Sequence, residues 1–333
     1  MNSKIINEFN KLIKQIKTDI DTSYGREQNI NTFRLSSTEK VLQILKDYPK
    51  KIKSSEQLKD IKGIGKNSLK RIDEIINTGK LKEIKNINNI NENYFKSIDD
   101  LTSIFGIGEI KAKELIKKYK IKNVEDLKKL ILKKKIELPE NILKGIKYKD
   151  KIKKNIPRNE IDKIYLYLLP IVKKFDKNLN LMICGSYRRM KKTSNDIDVL
   201  LYHNNIITKK ESNNSNVMNN FIKKLIKEKF IVDNFTSLDV PTKFMGICKY
   251  KTKPIRRIDI RLIPYESIYT AMLYFTGSRD FNKKMRLVAI KNNFILNEYS
   301  LFNKKTKRKM KIKSEKHIFE LLNMKYLKPE LRK

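Results

Sequence analysis

Up to about residue 150, apolar positions recur every three or four places among lysines. Ile5, Ile6, Phe9, Leu12, Ile13, Ile16 and Ile20 share one helical face, which predicts an amphipathic helix packed on a core and not a signal peptide. The rest of this region also reads as helix, punctuated by short Gly-containing turns. From Pro157 the pattern changes. A helix is predicted over Asn159–Phe175, followed by strand-like runs at Leu179–Cys184, Ile197–Tyr202, Met245–Tyr250 and Arg257–Ile263. A helix over Val217–Lys229 and a short strand at Ile231–Phe235 separate the second run from the third. The stretch His203–Asn216, rich in Asn, Ser and Lys, reads as an exposed loop. After Pro264 the chain returns to helix and then to a mixed, basic end. The fold class is α+β and multidomain, with an all-helical front and an α+β body.

Composition narrows the partners. Lys plus Arg number 76 against 37 Asp plus Glu, a formal net charge of +39. Such a chain faces polyanions, either nucleic acid or an anionic membrane. An AT-rich genome would itself enrich Lys, Asn and Ile, but a field of this sign binds phosphate whatever its origin. No apolar run approaches the ~18 residues of a membrane span, so no membrane partner is expected. Cys184 and Cys248 lie in apolar stretches, which argues for a reducing, intracellular setting; nucleus, cytoplasm and virion are not distinguished. His203 and His317 are far apart, which argues against a zinc site or a histidine-based triad. Chemistry must then run on carboxylates, hydroxyls and other bases.

Two helical segments repeat one another. Leu58-Lys-Asp-Ile-Lys-Gly-Ile-Gly-Lys leads into a helix through Ile76, and Leu101-Thr-Ser-Ile-Phe-Gly-Ile-Gly-Glu into one through Tyr119. Each resembles the helix-hairpin-helix motif of DNA-binding proteins. Gly63, Gly65, Gly106 and Gly108 would turn the backbone tightly and bring amides to a phosphate, a contact that carries no base information. The resemblance also implies Na+ or K+ on the carbonyls of Lys59, Ile61 and Ile64, and a second such ion on those of Thr102, Ile104 and Ile107.

The most informative segment is Cys184-Gly-Ser-Tyr-Arg-Arg-Met-Lys-Lys-Thr-Ser-Asn-Asp-Ile-Asp-Val-Leu-Leu-Tyr202. Strand alternation points Asp196 and Asp198 the same way, with Ile197 opposite. Two such carboxylates with no base between them call for a divalent cation, and Mg2+ favours carboxylate and phosphate oxygens. Gly185-Ser186 would begin a turn or helix facing phosphate, and Arg188 and Arg189 would add charge for a triphosphate. Arg257-Ile-Asp-Ile-Arg-Leu262 puts Asp259 on one face with Arg257 and Arg261. Alone this could be a structural ion pair; beside Asp-x-Asp it reads as the third carboxylate of a two-metal site. Asp196 and Asp198 would bridge two Mg2+ ions, with Mn2+ able to substitute. Asp259 would hold the catalytic ion and accept the proton of a primer 3′-hydroxyl.

Gly-Ser followed by Asp-x-Asp marks the nucleotidyltransferase superfamily, which includes template-independent enzymes. The order of all the motifs, ending in Leu273-Tyr-Phe-Thr-Gly-Ser278, resembles family X DNA polymerases, close to polymerases beta and lambda. The resemblance runs from about residue 20 to the end, with no separate interaction domain ahead of it. It implies a lyase-like first helix-hairpin-helix domain (1–85), a DNA-binding domain with the second hairpin (86–150), a nucleotidyltransferase palm with a mixed β-sheet (151–263), and an α+β, thumb-like nucleotide-selection domain (264–333). Ser186 and Arg189 would hold the β and γ phosphates, with Asn195 nearby. Tyr274 and Phe275 would pack under the sugar and select deoxyribose, although an aromatic core is the plainer reading of that run. Gly277-Ser278 would be a cis bond. Asn282 would reach the base edge, Lys283 the template base, Arg286 the template strand and Arg257 the primer backbone.

Departures from the family pattern carry equal weight. Arg71 stands where lyase-active members place a Schiff-base Lys, and a guanidinium stays protonated. Phe33, Thr38 and Asn67 replace the usual His, Tyr and Lys, while Lys66 and Lys70 are the substitutes at hand. Asn155 stands where an Arg on the triphosphate is usual. The segment from Thr236 to Phe244 is short, whereas terminal transferases carry a longer loop there. The expectation is a monomeric, template-directed, gap-filling repair polymerase acting on gapped or nicked DNA with dNTPs. Neither proofreading nor strong lyase activity is expected, and the alternative is a template-independent nucleotidyltransferase. Composition and compact architecture point to a virus or a compact genome.

Overall fold

The computed structural model describes residues 2–23, 25–84, 89–239 and 241–332. Contacts divide the chain into two compact units, Met1–Leu101 with Glu109–Lys128, and Thr102–Gly108 with Lys129–Lys333. The expected boundary between residues 85 and 86 lies outside the described residues.

The first unit is helical. Its elements are α1 (Ser3–Thr22), α2 (Gly25–Asp47), a 3-10 turn at Ser55–Leu58, α3 (Lys66–Thr78), α4 (Asn89–Thr102), α5 (Glu109–Tyr119) and the start of α6 (Val124–Leu132). The apolar face of α1 buries Phe9, Leu12 and Ile16 against Val41 and Leu45 of α2 and Ile72 and Ile75 of α3. Each such side chain contributes about 1.5–3 kcal/mol. Ser54 and Gln57 form a reciprocal capping box at the 3-10 turn, and Gly79 ends α3 in a left-handed conformation.

The second unit carries α7 (Glu140–Tyr148), β1 (Ile156–Pro157), α8 (Arg158–Phe175), β2 (Leu179–Ile183), α9 (Gly185–Arg188), β3 (Thr193–Ser194), β4 (Ile197–His203), α10 (Lys209–Asn214), α11 (Val217–Lys227), β5 (Ile231–Asn234), β6 (Lys243–Cys248) and β7 (Arg256–Ile263). After these come α12 (Ile268–Thr276), α13 (Arg279–Lys291), β8 (Phe294–Leu296), β9 (Leu301–Asn303), β10 (Arg308–Lys309) and α14 (Glu315–Leu321). The main sheet runs β2-β4-β7-β6-β5, with β4 and β7 parallel and the other neighbours antiparallel. One face buries Ile197, Val199, Ile258, Ile260 and Leu262 against α8 and α11. A buried pair, Arg256 to Glu160 at 2.8 Å through both nitrogens, ties the start of β7 to α8. A second core, centred on Leu273, Phe281, Met285 and Phe319, packs α12–α14 with the three-stranded sheet β8–β10.

Three expectations need correction. The stretch His203–Asn216 is not an open loop: α10 lies inside it, closed by a capping box between Thr208 and Glu211, with Ser212 fully buried. The third strand runs Lys243–Cys248, two residues earlier than Met245–Tyr250, because it pairs along β7 from Arg261 to Arg256. The helix expected to Lys229 ends at Lys227, and Lys229 turns left-handed with φ 57°.

Candidate active site

Alternation along β4 and β7 sets the acidic centre. Ile197 and Ile258 point into the core, so Asp198 on β4, with Asp196 just ahead of that strand, and Asp259 on β7 emerge on the opposite face. Parallel register places Asp198 directly beside Asp259. Ligand oxygens of Asp196, Asp198 and Asp259 lie within 4.8 Å of one another. Burial pushes Asp198 up to about 8, reinforced by the charges of Asp196 and Asp259. Asp196 is also raised, by burial and by Asp259, against the pull of Arg257. Three hard oxygen donors this close, and this costly to ionise together, suit a divalent cation.

The ion pair that the Arg257-Ile-Asp259 spacing allowed is present, and it extends to Asp196. Arg257 Nη2 lies 3.1 Å from Asp196 Oδ2 and 2.7 Å from Asp259 Oδ2. Burial lowers the Arg257 pKa, but the hydrogen bond and charge of Asp259, with Asp196 and Asp198, carry it above the ordinary value. Its guanidinium also lies 5.8 Å from the centre of the Phe105 ring, which stacks on Phe235 at 4.1 Å.

Space for the carboxylates depends on Gly185. A Cβ there would fall 1.9 Å from Asp198 Oδ2, and its φ is +56°. The amide of Cys184 donates to the Asp198 carbonyl at 2.8 Å, locking β2 to β4 beside the acids. Gly185 opens α9, and Ser186 in that helix and Arg189 at its end line the same cavity as Asp196 and Asp198.

A cavity of about 560 Å³ opens over this centre. It gathers Ser186, Arg189, Asn195, Asp196, Asp198, Tyr274, Phe275, Gly277, Asn282, Lys283 and Arg286, all positions singled out from the sequence, together with Arg279, which was not. Asp259 lines a smaller adjoining cavity with Asp198, Arg261 and Phe275. Ser186 and Ser194 share a hydroxyl hydrogen bond of 2.7 Å, and Arg189 donates to the Thr276 carbonyl. Burial lowers the Arg189 pKa, opposed by Asp198 and Asp196. Gly277–Ser278 is cis. Asn282 donates to the Tyr274 carbonyl at 2.7 Å, and Arg286 lies over the Tyr274 ring at 5.1 Å.

Two expected nucleotide contacts fall elsewhere. Arg188 turns away from the cavity: it donates to Thr276 Oγ1 at 2.6 Å and pairs with Glu315 through both nitrogens. Glu315 in turn pairs with Arg332, whose side chain is fully buried. Burial pushes Glu315 up, but Arg188 and Arg332 hold it below the ordinary carboxylate value. Asn155 is exposed, sits at φ 56° and does not line the cavity.

The two hairpin turns share one local geometry. Gly63 and Gly106 take φ +111° and +90°, and the Ile61 and Ile104 carbonyls each accept from the amide three residues on. Those two carbonyls thus keep one lone pair each for any cation shared with Lys59 and Ile64, or with Thr102 and Ile107. A Cβ at Gly65 or Gly108 would meet open space, so the backbone there is bare. In the first unit a cavity of about 540 Å³ is lined by Arg34, Thr38, Gly65, Lys66, Asn67 and Arg71 among others. Arg71 and Arg34 both pair with Glu83. Burial raises the Glu83 pKa, yet the two guanidiniums hold it below its usual value. Lys70 is not among the lining residues, and Phe33 is 79% exposed.

Comparison with known proteins agrees with this layout. Residues 3–81 match a helix-hairpin-helix domain, 155–265 the DNA polymerase beta palm and 271–333 the DNA polymerase beta thumb. The chain is similar to DNA polymerase lambda of Arabidopsis thaliana, 27% identical over 352 residues, covering 100% of this chain and 62% of that protein. It is similar to DNA polymerase lambda of Rattus norvegicus, 29% identical over 203 residues, 56% of this chain and 35% of that protein. It also resembles DNA nucleotidylexotransferase of Xenopus laevis, 26% identical over 220 residues, 56% of this chain and 42% of that one. In each case the chain spans less than two thirds of the relative's length. Helix-hairpin-helix, palm and thumb in this order, around a palm whose acids converge from two parallel strands, place the chain in family X of the DNA polymerases, a family of nucleotidyltransferases.

Proposed function

We propose that the chain is a template-directed polymerase that fills short gaps in DNA. The observation that carries this reading is the convergence of Asp196, Asp198 and Asp259 beside a cavity lined by Ser186, Arg189, Tyr274 and Phe275. Asp196 and Asp198 would hold two Mg2+ ions, or Mn2+ in their place, and Asp259 one of them. Bound there, the metal supplies charge neutralisation and a more acidic primer hydroxyl. The 3′-oxygen would bond to the α-phosphorus as the bond to pyrophosphate breaks. The Asp259 carboxylate would take the hydroxyl proton. Ser186 and Arg189 would hold the triphosphate, while Tyr274 and Phe275 would leave no room for a 2′-hydroxyl. Arg257 would exchange an acid for a primer phosphate.

Supporting the DNA side, the bare glycine turns of both hairpins suit backbone phosphates, with Na+ or K+ on the neighbouring carbonyls. Arg71, committed to Glu83, lacks the neutral amine that lyase chemistry needs. Extension of a one-nucleotide gap bearing a 5′-phosphate tests the reading. Asp259→Ala should lower it by roughly a thousandfold or more, and removing the phosphate should weaken binding.

The rival is template-independent addition, favoured by the likeness to DNA nucleotidylexotransferase. The few residues between β5 and β6 favour the templated reading, since a template-displacing loop needs length. Incorporation on a primer with and without template separates the two.

A further inference from the structure

The inner face of α13 buries Phe281, Met285 and Ala289. The face turned to the cavity carries Arg279, Asn282, Lys283 and Arg286, the i, i+3, i+4, i+7 spacing of one helical stripe. The last three positions on this stripe were expected to meet bases or template. Arg279 begins it, one turn before Asn282, beside the Gly277 backbone that borders Arg189.

Arg279 is the uncommitted guanidinium of this cavity. Arg189 is bonded to the Thr276 carbonyl and Arg286 lies over the Tyr274 ring. Among the described residues, the Arg279 side chain has no ion-pair, hydrogen-bond or ring partner. It also stands in the first turn of α13, where the helix dipole disfavours a cation. A charge placed against the dipole, unpaired and facing the cavity, is set to gain its partner from a ligand.

Resting on the polymerase reading above, we propose that Arg279 stacks its guanidinium on the base of the incoming nucleotide. A planar, weakly hydrated cation packs well on a π face, and every base has one. The contact raises affinity for all four nucleotides without reading the template. Ser186 and Arg189 would already serve the phosphates, while Arg279 lies on the stripe of Asn282, which would reach the base edge.

Steady-state extension of a one-nucleotide gap, with each of the four dNTPs opposite its complement, tests this. Arg279→Ala should raise KM about three- to thirtyfold, with the change in KM far larger than that in kcat. Arg279→Lys should behave like Arg279→Ala, because an ammonium keeps the charge and loses the plane. The effect should be larger for dATP and dGTP than for dCTP and dTTP. Melting temperature should not fall in either variant, given the exposed site and the opposing dipole. A KM restored by Lys would overturn the proposal in favour of a phosphate contact, and an unchanged KM in Arg279→Ala would overturn it in favour of a bystander. Absence of extension by the unmodified protein would instead sink the polymerase reading.

Discussion

Arg257 Nη2 lies 3.1 Å from Asp196 Oδ2, and the same nitrogen serves Asp259. The guanidinium therefore neutralises part of the carboxylate cluster that a divalent ion would use. Arg257→Ala should bind Mn2+ roughly tenfold more tightly by calorimetry while extending primers more slowly. Unchanged or weaker Mn2+ binding would show that the pair does not compete with metal.

Asp198 carries the largest electrostatic burden of the site. Its carboxyl is raised to about 8 by burial and by its acidic neighbours, against about 3.9 in an unfolded chain. Between those values the folded protein keeps a proton that the unfolded chain has lost. Stability of the metal-free protein should thus fall as pH rises from about 4 to 8. Asp198→Asn should flatten that slope, raise the metal-free melting temperature at pH 8 by a few degrees and abolish extension. Equal slopes in the two proteins would refute the assignment.

Glu315 joins Arg188 of α9 to the buried Arg332. Glu315→Ala leaves a fully buried guanidinium unpaired and should cost about 3–5 kcal/mol in urea unfolding. Glu315 is depressed, so its contribution is present above the unfolded carboxylate pKa and is lost as pH falls through the folded value. A loss under 1 kcal/mol would mean that water reaches Arg332.

Lyase chemistry should be weak or absent. Borohydride treatment with an incised abasic site should trap little covalent adduct. A strong adduct lost in Lys66→Ala or Lys70→Ala would reverse this. Lys66 is the sharper test, because it lines the first-unit cavity and Lys70 does not.

Local pattern made the acidic centre legible. Period-two alternation around Ile197 and Ile258 is enough to aim three aspartates, because a half-buried strand leaves no choice of face. The Gly-x-Gly turns were legible because the left-handed φ of Gly63 and of Gly106 demands glycine. Asn- and Lys-rich composition hid α10, although Thr208-Lys-Lys-Glu211 is a capping box that could have found it. The Arg188–Glu315 pair spans 127 positions, and no periodicity reports such a partner. Arg279 was missed because its meaning depends on which stripe of α13 the core claims.

The in-register neighbours Asp198 and Asp259 also tie chemistry to assembly. They sit side by side only while β4 and β7 hold their parallel pairing, and a slip of one residue would turn either acid toward the core. Metal affinity would therefore be a checksum on the sheet. A chain that bound a divalent ion tightly would by that fact have paired its central strands correctly, and misregistered molecules would exclude themselves from metal-dependent chemistry.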